Sequence, residues 1–177
     1  MGRFLPGFEE KDIIRGEEFV RLFSFILFLE KGNNDCDKGV WKEYEKFLCE
    51  KRRRWFEEKG KKLVNDGSLE DLYRVFREYF GLDEKNHVIL ERTERKIVIG
   101  SMNPCPVLYA CMRLNLDTRE ICKKIYEKPT TYLLKLVNPR ARFYRDYSRI
   151  RPYYYCCVEI IELPESSSEE KEEDSEK

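Results

Sequence analysis

Cysteine is the residue type most able to do chemistry in this chain, and its positions follow a pattern. Cys105 lies in Asn103-Pro104-Cys105-Pro106, where a strand should end and a helix begin. Cys122 and the adjacent pair Cys156 and Cys157 also fall at the edges of predicted elements. A thiol at such an edge becomes a reactive thiolate or a metal ligand more readily than one inside an element. The sequence therefore predicts a small-molecule site built from thiols in the C-terminal half.

Cys105 is the candidate nucleophile if the chain is an enzyme. With Pro106 as the first helical residue, Cys105 becomes the N-cap, and the positive helix end would lower the pKa of its thiol. The alternative for Cys105 is a buried, small, apolar side chain. His87 is the single histidine of the chain. Nothing in the sequence places His87 next to Cys105, so a surface or packing role is expected for it.

The same thiols offer zinc binding as a second kind of site. Zinc takes four ligands, commonly from closely spaced cysteine pairs, and the intervals between these cysteines match no zinc ribbon. A zinc site would therefore combine distant elements: Cys105, Cys122 and either Cys156 or Cys157, with a glutamate or histidine. The tight spacings usual for iron–sulfur clusters are also missing.

Strand alternation separates the last two cysteines. Cys156 shares one face of its strand with Val158 and Ile160, whereas Cys157 shares the other with Glu159. Because the first face carries no charge before the end of the strand, Cys156 is the thiol expected to face the core or the site.

A basic, aromatic segment at residues 138–155 is the candidate ligand-binding region. Arg140, Arg142 and Tyr144 share one strand face, with the two arginines about 7 Å apart. Such a pair can clamp a carboxylate. It can also follow phosphates while tyrosines stack on bases, or it is an ordinary solvated surface. Nucleic acid is the less favoured partner, because the acidic C-terminal tail would compete with it.

Periodicity predicts an α+β fold. Helices are expected at residues 16–31, 38–64 and 68–81, strands at 87–92 and 95–100, helices at 105–114 and 118–127, and strands at 131–147 and 153–163. The chain is thus interpreted as one domain, residues 1–163, with a helical part (1–81) and a β-β-α-α-β-β part (86–163). The four strands should form an antiparallel sheet.

Composition limits the remaining possibilities. The 34 basic and 34 acidic residues balance, but residues 164–177 carry seven acids and two lysines, which predicts a disordered tail. Seven cysteines without a recognisable signal peptide indicate a reducing, cytoplasmic location, and no apolar run is long enough for a bilayer. Abundant lysine and glutamate are typical of thermophilic proteins. The apolar helix at 16–31 should pack in the core or form a homodimer.

These features together resemble the L-2-amino-thiazoline-4-carboxylic acid hydrolase family, over residues 41–163. The matching residues are Cys105-Pro106, Cys122, Asn138-Pro139, and Cys156 or Cys157 followed by Val158 to Ile161. The layout is also similar to the 4-vinyl reductase domain of small-molecule sensors. This chain has Arg149 to Pro152 where those families usually have a glycine turn, and its last cysteine is doubled.

The resemblance implies an enclosed pocket for a small, carboxylate-bearing molecule. One expectation is a hydrolase acting on C–N bonds, with Cys105 as the nucleophile and Arg140 or Arg142 orienting the carboxylate. The alternative is a non-catalytic sensor or carrier whose cysteines hold zinc. A third possibility is a nucleic-acid-associated protein that uses the arginine- and tyrosine-rich segment.

Overall fold

The computed structural model of the protein describes residues 37–165, with side chains from residue 42 onward. Its elements are α1 (Asp37–Glu58), a short 3-10 helix (Gly60–Leu63), α2 (Leu69–Tyr79), β1 (His87–Arg92), β2 (Lys96–Ser101), α3 (Pro106–Leu114), α4 (Thr118–Ile125), α5 (Glu127–Val137), β3 (Arg142–Arg145) and β4 (Cys157–Glu162). The helix expected at residues 16–31, the dimer contact assigned to it and nearly all of the acidic tail lie outside the described residues. No helix within residues 37–165 is long and apolar enough to cross a membrane.

The four strands form one antiparallel sheet in the order β1-β2-β4-β3. Helices precede the first strand pair and separate it from the second, so the α+β class predicted from periodicity is confirmed. The register of the central strand β4 places Glu159 opposite Ile99 on one side and opposite Arg145 on the other. This register brings one carboxylate and one guanidinium together in the middle of the sheet.

The main core lies between the sheet and the helices. Leu69, Leu72, Tyr73 and Phe76 form the buried stripe of α2, since their spacing places them on one helix face. They pack against residues that alternate along the strands: Ile97, Ile99, Phe143 and Ile161. Burial of each large apolar side chain stabilises the fold by roughly 1.5–3 kcal/mol.

Local sequence signals fix the start of α2. Ser68 is its N-cap and accepts a hydrogen bond from the Asp71 backbone N–H at 3.4 Å. The Asp71 carboxylate turns back and accepts hydrogen bonds from the backbone N–H groups of Asn65, Asp66 and Gly67 at 2.7, 2.9 and 2.9 Å. Burial alone would raise the pKa of Asp71, but these three bonds bring it below its ordinary value.

The opposite face of the sheet has a separate apolar cluster of Val98, Cys156, Val158 and Ile160. Gly100 lies on this face, and its missing side chain makes room for the neighbours. A Cβ atom at Gly100 would lie 3.0 Å from Cys156 Sγ and 3.1 Å from Val88 Cγ2, which is closer than normal contact. The Cys156 thiol therefore fills the space above a glycine.

One predicted element is wrong. Residues from Thr131 onward continue a helix, α5, instead of beginning the long strand expected at 131–147, and β3 is confined to Arg142–Arg145. Thr130 and Thr131 are β-branched and favour a strand locally, but α5 packs against α1 and β3, and this tertiary contact overrides the preference. Pro129 was expected to end a helix. It lies instead in the first turn of α5, where its missing N–H has no intrahelical partner to lose.

Candidate functional site

A cavity of about 360 Å³ lies between α1, the sheet and the N-terminus of α3. Its volume falls within the range of small-molecule pockets, roughly 300–1,000 Å³. The charged and thiol groups of its lining are Lys51, Arg52, Cys105, Arg145, Arg151, Cys157 and Glu159. Its aromatic groups are Tyr44, Trp55, Tyr79, Phe80 and Tyr126. The lining thus combines a cationic part with an aromatic part.

Cys105 occupies the expected position at the start of α3. It is the N-cap with an extended backbone, Pro106 is the first helical residue, and the half-buried Cys105 side chain lines the cavity. Burial raises the pKa of Cys105 above its ordinary value, and the positive charge of Arg151 only partly opposes this. The expected lowering of this pKa by the helix end is therefore wrong, because desolvation of the thiolate outweighs it. At neutral pH the resting group is a thiol.

Three buried arginines surround the cavity, and each has a sparse set of partners. Arg52, Arg145 and Arg151 are 4 %, 8 % and 4 % exposed. Within residues 37–165, Arg52 Nη1 donates to the Leu48 carbonyl at 3.4 Å, and Arg151 Nε donates to Cys157 Sγ at 3.4 Å. The Nε atoms of Arg52 and Arg145 have no partner in the described residues. Several guanidinium donors are thus left for a bound group.

Glu159 is the one carboxylate that the described part of the chain contributes to the cavity lining. It is 1 % exposed, and its Oε1 accepts hydrogen bonds from Arg145 Nη2 and, at 2.8 Å, from the Tyr126 hydroxyl. The Arg145 guanidinium carbon lies 3.6 Å from the centre of the Tyr126 ring, a cation–π contact. Burial and the Glu159 charge raise the pKa of Tyr126, so its hydroxyl stays a donor. Glu159 Oε2 has no partner among the described residues.

Arg52 reaches the cavity from α1. The sequence at residues 51–54 is a basic run, and Arg53 and Arg54 pair with Glu50 on the surface. Arg52 instead shares a helix face with Leu48 and Phe56, which are both buried, and its guanidinium carbon lies 5.2 Å from the centre of the Tyr79 ring. The apolar residues four positions before and after it are the signal that could have identified it.

Cys156 and Cys157 lie on opposite faces of the sheet, as alternation predicts, but the cavity lies on the face of Cys157. Cys156 is fully buried in the cluster on the far side of the sheet, whereas Cys157 lines the cavity. The expectation that Cys156 faces the core holds, while the site-facing thiol is Cys157. Cys122 is buried in α4 against Ile150 and Cys157, and burial raises the pKa of its thiol.

The proposed zinc ligands are not brought together. Cys105 and Cys157 line the cavity and Cys122 lies behind it, but Cys156 is on the opposite face of the sheet. Among the side chains of residues 42–165, no three histidine, cysteine, aspartate or glutamate groups form a cluster that could hold a metal ion. The set Cys105, Cys122 and Cys156 therefore does not fit a zinc ion.

The predicted ligand-binding residues lie outside the cavity. Arg142 and Tyr144 are exposed on the far face of β3, where the Tyr144 hydroxyl donates to Glu162. Arg140 is on the surface, and its Nη1 donates to the Pro164 carbonyl at 3.3 Å. Strand alternation turns Arg145 inward instead. The guanidinium that reaches the cavity from β3 is therefore Arg145.

His87 does not line the cavity. Its Nε2 lies 2.7 Å from the Tyr73 hydroxyl, and its Nδ1 lies within hydrogen-bond distance of the Asp83 carbonyl. Both ring nitrogens thus have partners at the start of β1. This arrangement agrees with the packing role expected from the sequence.

Comparisons with models of protein families, with curated proteins and with solved structures find no match to this chain.

Proposed function

We propose that the cavity binds a small organic molecule bearing a carboxylate, and that Cys105 is the nucleophile for its hydrolysis. The supporting observation is the charge of the buried lining. Among the buried lining residues that the structure describes, Arg52, Arg145 and Arg151 contribute three positive charges and Glu159 contributes one negative charge, which leaves a net charge of two positive units. Lys51 adds a further cation at the edge of the cavity.

The buried positive charges favour an anionic ligand. A buried charge is costly unless it is paired and hydrogen-bonded, and guanidinium groups form their strongest hydrogen bonds with carboxylates and phosphates. A carboxylate in the cavity would supply acceptors for donors that have none within the described residues. The cavity is also partly apolar, so the aromatic side chains would contact the body of the ligand.

Cys105 is suited to attack a molecule held by these arginines. Its thiol lies at the α3 N-terminus, on the lining that also carries Arg151. The Cys105 sulfur adds to the carbon of a C=N bond as its proton passes to the nitrogen. The C–N bond then breaks and the nitrogen leaves as an amine; water adds to the same carbon and displaces the sulfur, which regains a proton as the Cys105 thiol. The reaction class is hydrolysis of a C–N bond, and the resemblance to thiazoline-carboxylate hydrolases suggests L-2-amino-thiazoline-4-carboxylate as the first substrate to test.

The binding test compares a carboxylate with its neutral amide. Calorimetry should show that 3-phenylpropionate binds at least about tenfold more tightly than 3-phenylpropionamide, because only the acid pairs with the guanidinium groups. Arg151→Met should remove this difference. Arg149→Met is the matched control, since Arg149 is exposed and pairs with Asp146. Equal affinity of acid and amide would contradict the proposal.

The catalytic test uses Cys105→Ser with the thiazoline carboxylate as substrate. The variant should keep its affinity for 3-phenylpropionate and lose turnover, because serine is a poor nucleophile without an adjacent base. Cys156→Ser is the control, as this thiol lies on the far side of the sheet. Turnover retained in the Cys105 variant would refute the assignment.

The structure weakens the argument for nucleic-acid binding. Of the arginines in the segment 138–155, Arg145 and Arg151 are buried and Arg149 is paired with Asp146. Arg140 and Arg142, which are exposed, remain as the arginines of this segment that could contact phosphates. Salt dependence separates the two functions, because phosphate binding weakens steeply with salt and a buried pocket responds little.

A further inference from the structure

Glu159 has an unused acceptor that the proposed anion does not explain. Its Oε1 accepts hydrogen bonds from both Tyr126 and Arg145, whereas its Oε2 has none within residues 37–165 although the residue is 1 % exposed. Buried polar atoms of native proteins nearly always have a partner. A second carboxylate would be repelled at this position. Glu159 is a lining residue of the cavity, so a bound molecule can bring the missing donor.

We propose that the ligand is an acid carrying a hydrogen-bond donor, a hydroxyl or amino group, next to its anionic group, and that Glu159 Oε2 accepts from this donor. The inference rests on the proposed function, because it specifies the ligand of the same cavity. Glu159 is then a specificity-determining residue, while the arginines supply affinity for the anion.

The position of the unused atoms indicates that donor and anion are neighbours in the ligand. Arg145 and Glu159 form one buried ion pair, opposite each other on β3 and β4. Each member of this pair has one buried atom without a hydrogen-bond partner among the residues that the structure describes, the donor Nε of Arg145 and the acceptor Oε2 of Glu159. A ligand that satisfies both must present an acceptor and a donor close together. Acids with an α-hydroxyl or α-amino group have this arrangement, and keto acids and simple acids do not.

The test uses four acids that share a phenyl ring, which suits the aromatic lining, and differ only at the α-carbon. Phenyllactate and phenylalanine carry a donor, phenylpyruvate carries an acceptor, and 3-phenylpropionate carries neither. Calorimetry on the full chain should show that at least one donor-bearing acid binds at least about tenfold more tightly than phenylpyruvate and 3-phenylpropionate do. This first measurement needs no variant.

Glu159→Gln tests the role of the acceptor itself. Tyr126 and Arg145 would hold the amide oxygen and turn the amide NH2 group toward the cavity, so the unused acceptor becomes a donor. The preference should then move from phenyllactate toward phenylpyruvate. Glu162→Gln is the control, because Glu162 lies on the same strand and pairs with the exposed Tyr144. An unchanged preference in the Glu159 variant would overturn the inference.

The outcomes separate this inference from the function on which it rests. If all four acids bind equally and Arg151→Met weakens all of them, anion binding stands and the role of Glu159 is overturned. If none of the four binds at millimolar concentration, both proposals are overturned. Selective binding of a donor-bearing acid that the Glu159 variant loses supports both.

Discussion

Replacing Arg145 by methionine tests the buried ion pair at the centre of the site. The side chains of Arg145 and Glu159 are 5 % and 1 % exposed, and the guanidinium also stacks on the Tyr126 ring. Methionine fills a similar volume but removes the charge. Glu159 would keep one hydrogen bond, from Tyr126, and would have no buried positive partner on the adjacent strand.

The expected loss is large. Breaking one side of a buried ion pair typically costs about 3–5 kcal/mol, because it leaves the other charge uncompensated. The cation–π contact with Tyr126 adds about 1–2 kcal/mol. The free energy of unfolding should therefore fall by about 4–7 kcal/mol at pH 7.

Urea unfolding followed by tryptophan fluorescence measures the free energy of unfolding of the variant and of the wild-type chain.

The matched control is Arg142→Met, which removes the exposed arginine of the same strand and should cost less than about 1 kcal/mol. A loss below about 1 kcal/mol for Arg145→Met at pH 7 would refute the reasoning.

Two further predictions concern groups with shifted pKa values. Asp71→Asn should lower the free energy of unfolding by about 2–3 kcal/mol at pH 7, because a neutral amide oxygen accepts more weakly than the charged Oδ2 that takes all three backbone N–H groups, and the amide NH2 would face Arg74 in place of Oδ1. The pKa of Asp71 is lowered in the folded state, so the stability that its carboxylate contributes is complete above the ordinary pKa of 3.8 and is lost as the pH falls through the lowered pKa. Acid titration of both proteins checks this dependence, and a stability difference that does not change with pH would contradict it. The raised pKa of Cys105 predicts slower alkylation by iodoacetamide at pH 7 than free cysteine shows, with a rate that rises with pH. Arg151→Met should slow it further, as peptide mass spectrometry would show, whereas rapid labelling of Cys105 at pH 7 would argue against the burial described above.

The sequence predicts the fold better than it predicts the site. The class, the four-stranded antiparallel sheet and the N-cap position of Cys105 follow from local patterns and are confirmed. Periodicity and capping depend on residues close in the chain, which the sequence displays directly. The error in α5 arises where a distant contact decides between helix and strand.

The sequence does not predict the site, because burial of a charge depends on a distant partner. Alternation correctly places Cys157 and Glu159 on one face of β4, but a charged residue on a strand ordinarily indicates the solvent-facing side. The partner of Glu159, Arg145, is in another strand, and only the strand register brings the two together. Alternation alone also does not say which face of β3 turns inward, so it does not distinguish Arg145 from Arg142.

Gly100 indicates how the two adjacent cysteines, Cys156 and Cys157, can vary in sequence. A side chain at Gly100 would collide with Cys156 Sγ, so positions 100 and 156 share one fixed volume and are expected to change together. Cys157 carries a different constraint, because its sulfur accepts a hydrogen bond from Arg151 in the cavity. Two adjacent thiols are therefore held by unrelated requirements, one by size and one by polarity. In related chains, Cys156 can be replaced by a residue whose volume fits the residue at position 100. Cys157 should vary only together with Arg151.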